Sequence, residues 1–342
     1  MVHTPSGPTK ARSFIAAFLA TAIICSLSLG LFNYLVNPLG WFGPRLVKPL
    51  AWGDQRIKVD LMKTAAPAEA LILGSSRVSK LAPADITDIT GLKAFSAGVS
   101  SSRPEEHYAL LRYATDDLKW PLKEVVYGID LETLFYAGPP NEDLVSSTEV
   151  RKYVPRGMWL PEVLARTKLL LSTYNLGLST KALKLHLAAN TPPAEVDFDP
   201  DGYLHYIAME AQVKAGTFKL NAAQNLTNYT ERYNIPPTLN PERVALFEKA
   251  LALAQEKGIK VRLFATPFHP DMIKGLKQVE TYNQVQAAAL PYLQALPSRF
   301  PNVTFHDFTD VASFGGDPNA FFDGVHYRQE NGRLMLEQLY NH

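Results

Sequence analysis

Cysteine is almost absent from this sequence, in which Cys25 is the only one among 342 residues. A single thiol excludes an internal disulfide framework and a zinc site built from cysteines. An excess of charge is lacking as well, because 34 basic residues stand against 33 acidic ones for a formal net charge of +1. That balance gives no electrostatic case for binding nucleic acid. Internal repeats and low-complexity tracts are also missing, which excludes a solenoid of stacked repeats.

A long hydrophobic run is present near the N-terminus. Residues 13–36 read SFIAAFLATAIICSLSLGLFNYLV and carry no formal charge. About 20 apolar residues in a helix cross a hydrocarbon core of about 30 Å, so the run is long enough for a transmembrane anchor. Lys10 and Arg12 precede it, and the positive-inside rule keeps them cytoplasmic. We therefore expect residues 1–12 in the cytoplasm, a single-pass anchor in the inner (plasma) membrane, and the rest of the chain on the extracytoplasmic, periplasmic side.

A cleaved signal peptide is the alternative interpretation of this run, and it would leave a soluble enzyme. The apolar stretch exceeds the roughly 7–15 residues of a signal h-region. No A-x-A site follows it, and Ile24 before Cys25 does not suit a lipoprotein cleavage site. The sequence therefore favours a retained anchor.

Short apolar runs alternate with helical patterns along the rest of the chain. After a juxtamembrane connection over residues 37–66, we expect one domain at residues 67–342. Continuous apolar runs suit strands buried on both faces of a parallel sheet. The alternation predicts an α/β fold, a doubly wound, flavodoxin-like three-layer sandwich with about five parallel strands. The expected strands are residues 69–74, 91–98, 123–130, 260–267 and 302–308, and the expected helices are residues 104–118, 241–257, 273–296 and 329–340.

One segment is too long for this pattern. Residues 135–238 separate the third and fourth expected strands, which is more chain than a single crossover helix requires. The segment contains a helical pattern over residues 158–186 and a polar, aromatic-bearing stretch over residues 197–233. We interpret it as a large, mostly helical insertion that covers one side of the site. In such sheets that site lies beyond the carboxyl ends of the strands.

Candidate functional residues follow the first three expected strands. The first strand ends in Gly74-Ser75-Ser76, where a serine at a helix start lies near N–H groups able to stabilise an oxyanion. Taken alone, such a serine is more often a helix N-cap. Gly98 after the second strand allows the backbone to approach a ligand closely, although an ordinary turn glycine is an equally good interpretation. The third strand ends at Asp130.

A carboxylate and an imidazole stand close together near the C-terminus. Residues 321–327 read FFDGVHY and place Asp323 three positions before His326. A serine becomes a good nucleophile when an imidazole accepts its proton, and a carboxylate holds that imidazole in the required tautomer. Alone, this spacing is more often a surface turn with an aspartate cap. Its place after the fifth strand, from which a loop can fold back over the end of the first, favours a catalytic pair.

In this order the motifs resemble those of the SGNH, or GDSL-type, hydrolase superfamily. That family carries a serine nucleophile in a first Gly-Asp-Ser block, an oxyanion glycine in the second, an oxyanion asparagine in the third and Asp-x-x-His in the last. The GSSR first block and the stretch NPLGWFG look like a membrane-anchored group of the family. That group is similar to the lipoteichoic-acid D-alanylation protein DltD and to bacterial proteins associated with exopolysaccharide export and acylation. The matching blocks, spread over residues 69–340, are Gly74-Ser75-Ser76, Gly98, Gly128-Ile129-Asp130 and Asp323-x-x-His326.

The resemblance implies a role for four of these residues. Ser76 falls on the nucleophile, and Gly98 falls on the oxyanion glycine. Asp323 and His326 fall on the acid and the base. Ser75 stands where the superfamily has aspartate.

Asp130 departs from the pattern, because it occupies the position of the oxyanion asparagine. An asparagine donates an N–H to an oxyanion, whereas an ionised aspartate repels it. Either the oxyanion hole relies on the backbone N–H groups of Ser76 and Gly98, or Asp130 is protonated or turned away. A catalytically inactive relative is a further alternative.

Two other side chains lie near the expected site. His269 in TPFHP follows the fourth strand and would contact substrate or belong to a structural loop, of which we favour the second. Arg77 would bind an acidic sugar or face solvent, and again we favour the second.

The resemblance implies a membrane-anchored extracytoplasmic serine esterase or O-acyltransferase that acts on a cell-envelope or exported polysaccharide. Its partners would be that polysaccharide, or another acyl acceptor, and a multi-spanning membrane acyltransferase, and it would need no metal or organic cofactor. The alternative is a non-catalytic glycan-binding or scaffold protein that assists such an acyltransferase. Asp130 and the large insertion favour the alternative, and the set of Ser76, Asp323 and His326 opposes it.

Overall fold

The computed structural model describes residues 8–42, 46–47, 49–50, 54–188 and 195–341. The chain forms two compact units. The helical unit consists of Met1–Gly53 and Leu160–Pro193, and the sheet unit consists of Asp54–Trp159 and Ala194–His342. The boundaries of the anchor, the connection and the insertion given above stay predictions.

The sheet unit is built on five parallel strands in the order β2-β1-β3-β6-β7. All five lie inside the strands expected from the sequence, so the prediction of a five-stranded parallel α/β fold is confirmed. A separate antiparallel pair, β4 and β5, lies in the segment predicted to be an insertion. The strands are β1 (Ala70–Leu73), β2 (Ala94–Ser96), β3 (Glu124–Ile129), β4 (Val196–Phe198), β5 (Leu204–Tyr206), β6 (Lys260–Ala265) and β7 (Val303–Asp307).

Both faces of the sheet are covered, which gives three layers. Successive side chains of a strand point to opposite faces, and β1 shows this directly. Leu71 and Leu73 belong to one hydrophobic cluster, whereas Ala70 and Ile72 belong to the other. Burial on both faces explains why β1 and β3 read as unbroken apolar runs in the sequence.

Helices supply the two outer layers. Side chains of α4, α11 and α13 join the cluster of Leu71, and side chains of α3 and α15 join the cluster of Ile72. The helices are α1 (Pro8–Val36), α2 (Asp54–Thr64), α3 (Pro83–Thr90), α4 (Pro104–Arg112), α5 (Glu142–Ser146), α6 (Thr148–Arg151), α7 (Arg156–Thr167), α8 (Thr173–Leu187), α9 (Ile207–Lys214), α10 (Leu226–Arg232), α11 (Pro241–Glu256), α12 (Pro270–Leu276), α13 (Glu280–Gln294), α14 (Leu296–Arg299) and α15 (Gln329–Tyr340).

The helix expected over residues 273–296 is divided into α12, α13 and α14. Helix-start signals in the sequence mark two of these three helices, α12 and α14. His269 caps α12, which has Pro270 in its first turn, and α14 starts with a proline in its own first turn. A second difference is α2, which occupies part of the expected connection because Val59 and Met62 bury against the sheet unit.

The helical unit contains the apolar N-terminal helix. Within residues 11–36 of α1, the most apolar stretch has a mean hydropathy of 2.3. Among the described residues, α1 is the one helix long and apolar enough to cross a membrane. This is the character of a membrane anchor and also of a signal sequence. The end of α1 packs against α8 and against a short 3₁₀ helix, Lys168–Leu171.

Candidate active site

The turn that follows β1 gives its two serines different roles. Gly74 has φ +149°, and a Cβ at this position would collide with Val78 and with the carbonyl oxygen of Gly128. This backbone conformation suits glycine, and it ends the strand abruptly. Ser75 is buried, and its Oγ accepts a hydrogen bond of 3.1 Å from the Arg77 N–H. Ser75 is therefore the N-cap of a short 3₁₀ helix, Ser76–Val78. Ser76, the first residue of that helix, is half-buried.

Ser76, His326 and Asp323 form one hydrogen-bonded chain. Ser76 Oγ lies 2.9 Å from His326 Nε2, and His326 Nδ1 lies 2.8 Å from Asp323 Oδ2. With the proton on Nδ1 donated to the carboxylate, Nε2 is left free to accept the hydroxyl proton of the serine. The arrangement can therefore generate a serine nucleophile by general-base catalysis.

Asp323 is held in place by its own loop. Its Oδ1 accepts the backbone N–H groups of Val325 at 2.7 Å and His326 at 2.8 Å. Burial alone would raise the pKa of this carboxyl, but the hydrogen bonds from His326 and from the two N–H groups outweigh it and lower the pKa. The same loop is closed by a bridge between Phe321 and Tyr327. Asp323 is thus kept ionised and fixed in orientation.

Two backbone N–H groups near the serine are free to bind an oxyanion. Within the described part of the chain, neither the N–H of Ser76 nor that of Gly98 donates to a protein acceptor. A Cβ on Gly98 would lie 2.7 Å from Val78 Cγ2 and 3.3 Å from the Ser75 carbonyl oxygen. Glycine at this position therefore lets the chain after β2 lie directly against the serine turn.

The Asp130 side chain is turned into the interior. Its Oδ1 accepts a hydrogen bond of 2.7 Å from Thr266 Oγ1, and Arg77 Nε lies 3.7 Å away. Asp130 is buried. Of the alternatives that the sequence left open, this geometry corresponds to a carboxylate turned away. Thr266 follows β6 directly, so its position at a strand end is the signal for it in the sequence.

The expectation that Arg77 faces solvent is wrong, because its side chain is only 1% exposed. Arg77 Nη2 donates to Glu132 Oε1 at 2.6 Å, and Nη1 donates to Thr266 Oγ1 at 3.1 Å. The guanidinium also stacks 4.0 Å from the centre of the Phe268 ring. Burial raises the pKa of Glu132, and Arg77 opposes that rise. Arg77 therefore ties the serine turn to the ends of β3 and β6, and Glu132 is a partner that the sequence reasoning missed.

His269 is buried at the start of α12. Its Nδ1 accepts the Asp271 N–H at 3.1 Å, so the imidazole caps the helix. Its backbone N–H donates to the Gly324 carbonyl oxygen at 3.0 Å, which ties α12 to the loop of Asp323 and His326. The ring packs edge-on against Phe321. These contacts hold the loop of Asp323 and His326 against the start of α12.

A chain of buried hydrogen bonds that was not expected from the sequence holds the serine turn at Gly74. Ser102 Oγ donates to the Gly74 carbonyl oxygen at 2.9 Å and lies 2.8 Å from His107 Nε2. His107 Nδ1 lies 2.8 Å from the Tyr127 hydroxyl. Burial lowers the pKa of His107 to about 4, so the imidazole is neutral at neutral pH. With Ser102 donating to Gly74, Nε2 carries the proton and Nδ1 accepts from Tyr127.

A cavity of about 430 Å³ opens next to the catalytic loop. Phe322, which precedes Asp323, forms part of its wall together with Tyr203, Lys80 and Glu210. Lys80 Nζ pairs with Glu210 and lies 4.6 Å from the centre of the Tyr203 ring and 5.7 Å from that of Phe322. Tyr206 links the cavity wall to the site, since its ring lies 5.4 Å from Phe322 and 5.9 Å from His326. Lys80 thus lies over the faces of the Tyr203 and Phe322 rings, and the charges of Lys80 and Glu210 give the cavity a polar wall.

Comparisons with known proteins give distant structural likenesses. No family model matches the sequence, and no curated protein matches it either. Among solved structures, a GDSL-like lipase from Bacteroides thetaiotaomicron is similar, with a TM-score of 0.37, 12% identity, and coverage of 84% of this chain and 97% of the lipase. A protein from Bacteroides fragilis, provisionally described as an acylhydrolase, is similar with a TM-score of 0.34 and 13% identity. The match covers 84% of this chain and 95% of that protein. The fold assignment above therefore rests on the strand order of this chain.

Proposed function

We propose that this protein is a serine esterase or O-acyltransferase, anchored in the inner membrane by α1, which acts on a cell-envelope or exported polysaccharide on the extracytoplasmic side. The observation that carries the proposal is the chain from Ser76 to His326 to Asp323, with its two contacts of 2.9 and 2.8 Å. Nucleophile, base and orienting carboxylate are the groups that acyl transfer through serine requires.

The proposed chemistry starts with attack of Ser76 Oγ on an ester carbonyl carbon. His326 Nε2 accepts the serine proton as the new C–O bond forms, and Asp323 stabilises the resulting imidazolium. The negative charge that develops on the carbonyl oxygen is bound by the N–H groups of Ser76 and Gly98. The bond to the leaving alcohol then breaks, and the alcohol takes the proton from His326. An acyl-serine remains.

The second half of the reaction decides between hydrolysis and transfer. A water molecule or a sugar hydroxyl gives its proton to His326 as it attacks the acyl carbon. The bond to Ser76 Oγ then breaks, Ser76 takes the proton back from His326, and an acid or an acylated sugar is released. A carbohydrate substrate is supported by the cavity next to the catalytic loop, with the rings of Tyr203 and Phe322 beside Lys80 and Glu210. A multi-spanning acyltransferase would be the partner that supplies the acyl group across the membrane.

A non-catalytic role in binding glycan or in supporting such an acyltransferase is the second candidate. One observation favours it: the residue at the oxyanion-asparagine position, Asp130, is a carboxylate turned toward Thr266, so it supplies no N–H donor. The hole then has only backbone donors.

An assay of glycan acylation in cells separates the two candidates. Cells that lack the gene are complemented with the wild-type chain, with Ser76→Ala, or with the matched control Ser75→Ala, and the acyl content of the exported glycan is measured. If the protein is an enzyme, Ser76→Ala should fail to restore the wild-type acyl content, whereas Ser75→Ala should restore most of it. Wild-type acylation by Ser76→Ala, at equal protein level, would decide for the scaffold.

A further inference from the structure

The segment that packs on the end of α1 is fixed there by specific contacts. Asn33 Nδ2 donates to the Leu170 carbonyl oxygen at 2.8 Å, and Asn33 Oδ1 accepts from Ser179 Oγ at 2.7 Å. A Cβ on Gly30 would lie 3.3 Å from Leu171 Cδ2. Residues 168–179 are therefore held against the last two turns of α1, within the helical unit.

These contacts determine the depth of the segment if α1 crosses a membrane. About 20 residues of helix cross the hydrocarbon core, so a span that begins near residue 13 leaves the core near residue 33. Gly30 and Asn33 then lie at its outer edge. Leu171, which touches Gly30, lies at the same level. The amide nitrogen and the amide oxygen of Asn33 each have a hydrogen-bond partner, which reduces the cost of a polar group at this depth.

The same segment exposes large apolar side chains. Leu171 is 55% exposed and Tyr174 68% exposed, although both adjoin the end of α1. Leu164 and Leu187, in α7 and α8, are exposed as well. Apolar side chains left open beside the end of a membrane span are positioned for the boundary between acyl chains and headgroups.

Basic residues outnumber acidic ones in residues 160–187, where Glu162 is the one acidic residue. From residue 163 to residue 194 the sequence has no aspartate or glutamate. Lys168, Lys181 and Lys184 are exposed there, whereas Arg166 is buried and stacks on Trp41. Lys181 and Lys184 line an open groove of about 670 Å³ on α8, together with Leu176 and Leu185. Basic side chains next to an apolar surface are complementary to anionic phospholipids.

We propose that residues 160–187 form an interfacial segment that lies on the bilayer beside the outer end of α1 and binds anionic phospholipid headgroups. The inference rests on the membrane anchoring proposed above and is independent of the catalytic reaction. Lipid is favoured over a protein partner because exposed apolar groups, cationic charge and depth coincide on one segment. The segment thus gives the helical unit a second, surface-lying attachment.

The test uses the full chain in phospholipid vesicles with an environment-sensitive fluorophore on one cysteine. Cys25 is the natural label for α1. In a Cys25→Ser background, Leu171→Cys and Tyr174→Cys report the apolar side of the segment, and Ser298→Cys is the control on an exposed polar position of α14, in the sheet unit. Quenching is measured with nitroxide-bearing lipids and with aqueous iodide, in phosphatidylcholine vesicles with and without phosphatidylglycerol.

The proposal predicts several-fold stronger lipid quenching and weaker iodide quenching at positions 171 and 174 than at position 298. Phosphatidylglycerol should increase the difference, and Lys→Gln substitutions at Lys168, Lys181 and Lys184 should remove that increase. Equal iodide quenching at all three positions, with Cys25 still in the lipid, overturns the interfacial segment alone. A Cys25 label accessible to iodide overturns the anchoring instead. Shielding seen only in native membranes assigns the surface to a protein partner and also contradicts the proposal.

Discussion

Ser76 Oγ lies 2.9 Å from His326 Nε2, although 250 positions separate the two residues in the chain. Strand order explains the contact. β1 lies inside the sheet and ends at the serine turn, while the loop before α15 returns to that edge after β7. His269 and Gly324 fix the loop through a backbone hydrogen bond of 3.0 Å. The fold therefore brings the two residues together.

Ser76→Ala and His326→Ala are expected to lower ester turnover by about 10⁴-fold or more each, because each removes the covalent route. The double variant should lose little beyond either single one, since the residues act as one unit. Steady-state hydrolysis of a small activated ester by the detergent-solubilised chain measures all three. Losses that multiply in the double variant would show that the two residues act independently.

Asp130→Asn should change ester turnover by no more than a few-fold, because the native carboxylate is bound to Thr266 and faces Arg77. The free energy of unfolding should fall by about 1 kcal/mol as a charge-assisted contact is lost. Thr266→Val, which removes the same hydrogen bond from the other side, is the control. A large rise in turnover would contradict this geometry, because it would mean that the aspartate faces the oxyanion.

Arg77→Met should destabilise the sheet unit by about 3–5 kcal/mol, since it leaves Glu132 and Asp130 buried without their cation. Adding Glu132→Gln should restore part of that loss. Urea unfolding of the detergent-solubilised chain, followed by fluorescence, gives the double-mutant cycle. Additive losses in the cycle would contradict a direct interaction between Arg77 and Glu132.

His107 should make folding sensitive to acid. Its pKa is about 4 in the folded chain and about 6.5 when unfolded, so the unfolded state binds the extra proton between these values. The free energy of unfolding should therefore fall by about 3 kcal/mol as the pH drops from about 6.5 to about 4. In His107→Gln this contribution should be missing. Urea unfolding of both chains at pH 7 and pH 4.5 measures the difference, and identical pH dependence would contradict it.

The parallel sheet was predictable because double-sided burial gives unbroken apolar strands such as Ala70–Leu73, and burial of this kind is visible in the sequence. The network of polar contacts around Arg77 was not predictable. Arg77 looks like a surface residue of the serine turn, and its burial depends on Glu132 and Thr266, which lie 55 and 189 positions away. Long-range pairings of this kind leave no local pattern. Ser102 and His107 are missed for a different reason, since Ser102 binds a backbone carbonyl and His107 binds two hydroxyl groups.

The most direct test of the central claim is covalent labelling of the full chain with a fluorophosphonate, which phosphonylates activated serines. The account predicts one adduct per chain, located by mass spectrometry on Ser76, retained in Ser75→Ala and abolished in Ser76→Ala and His326→Ala. The absence of any adduct on folded wild-type protein, or labelling that persists in Ser76→Ala, would contradict a catalytic Ser76.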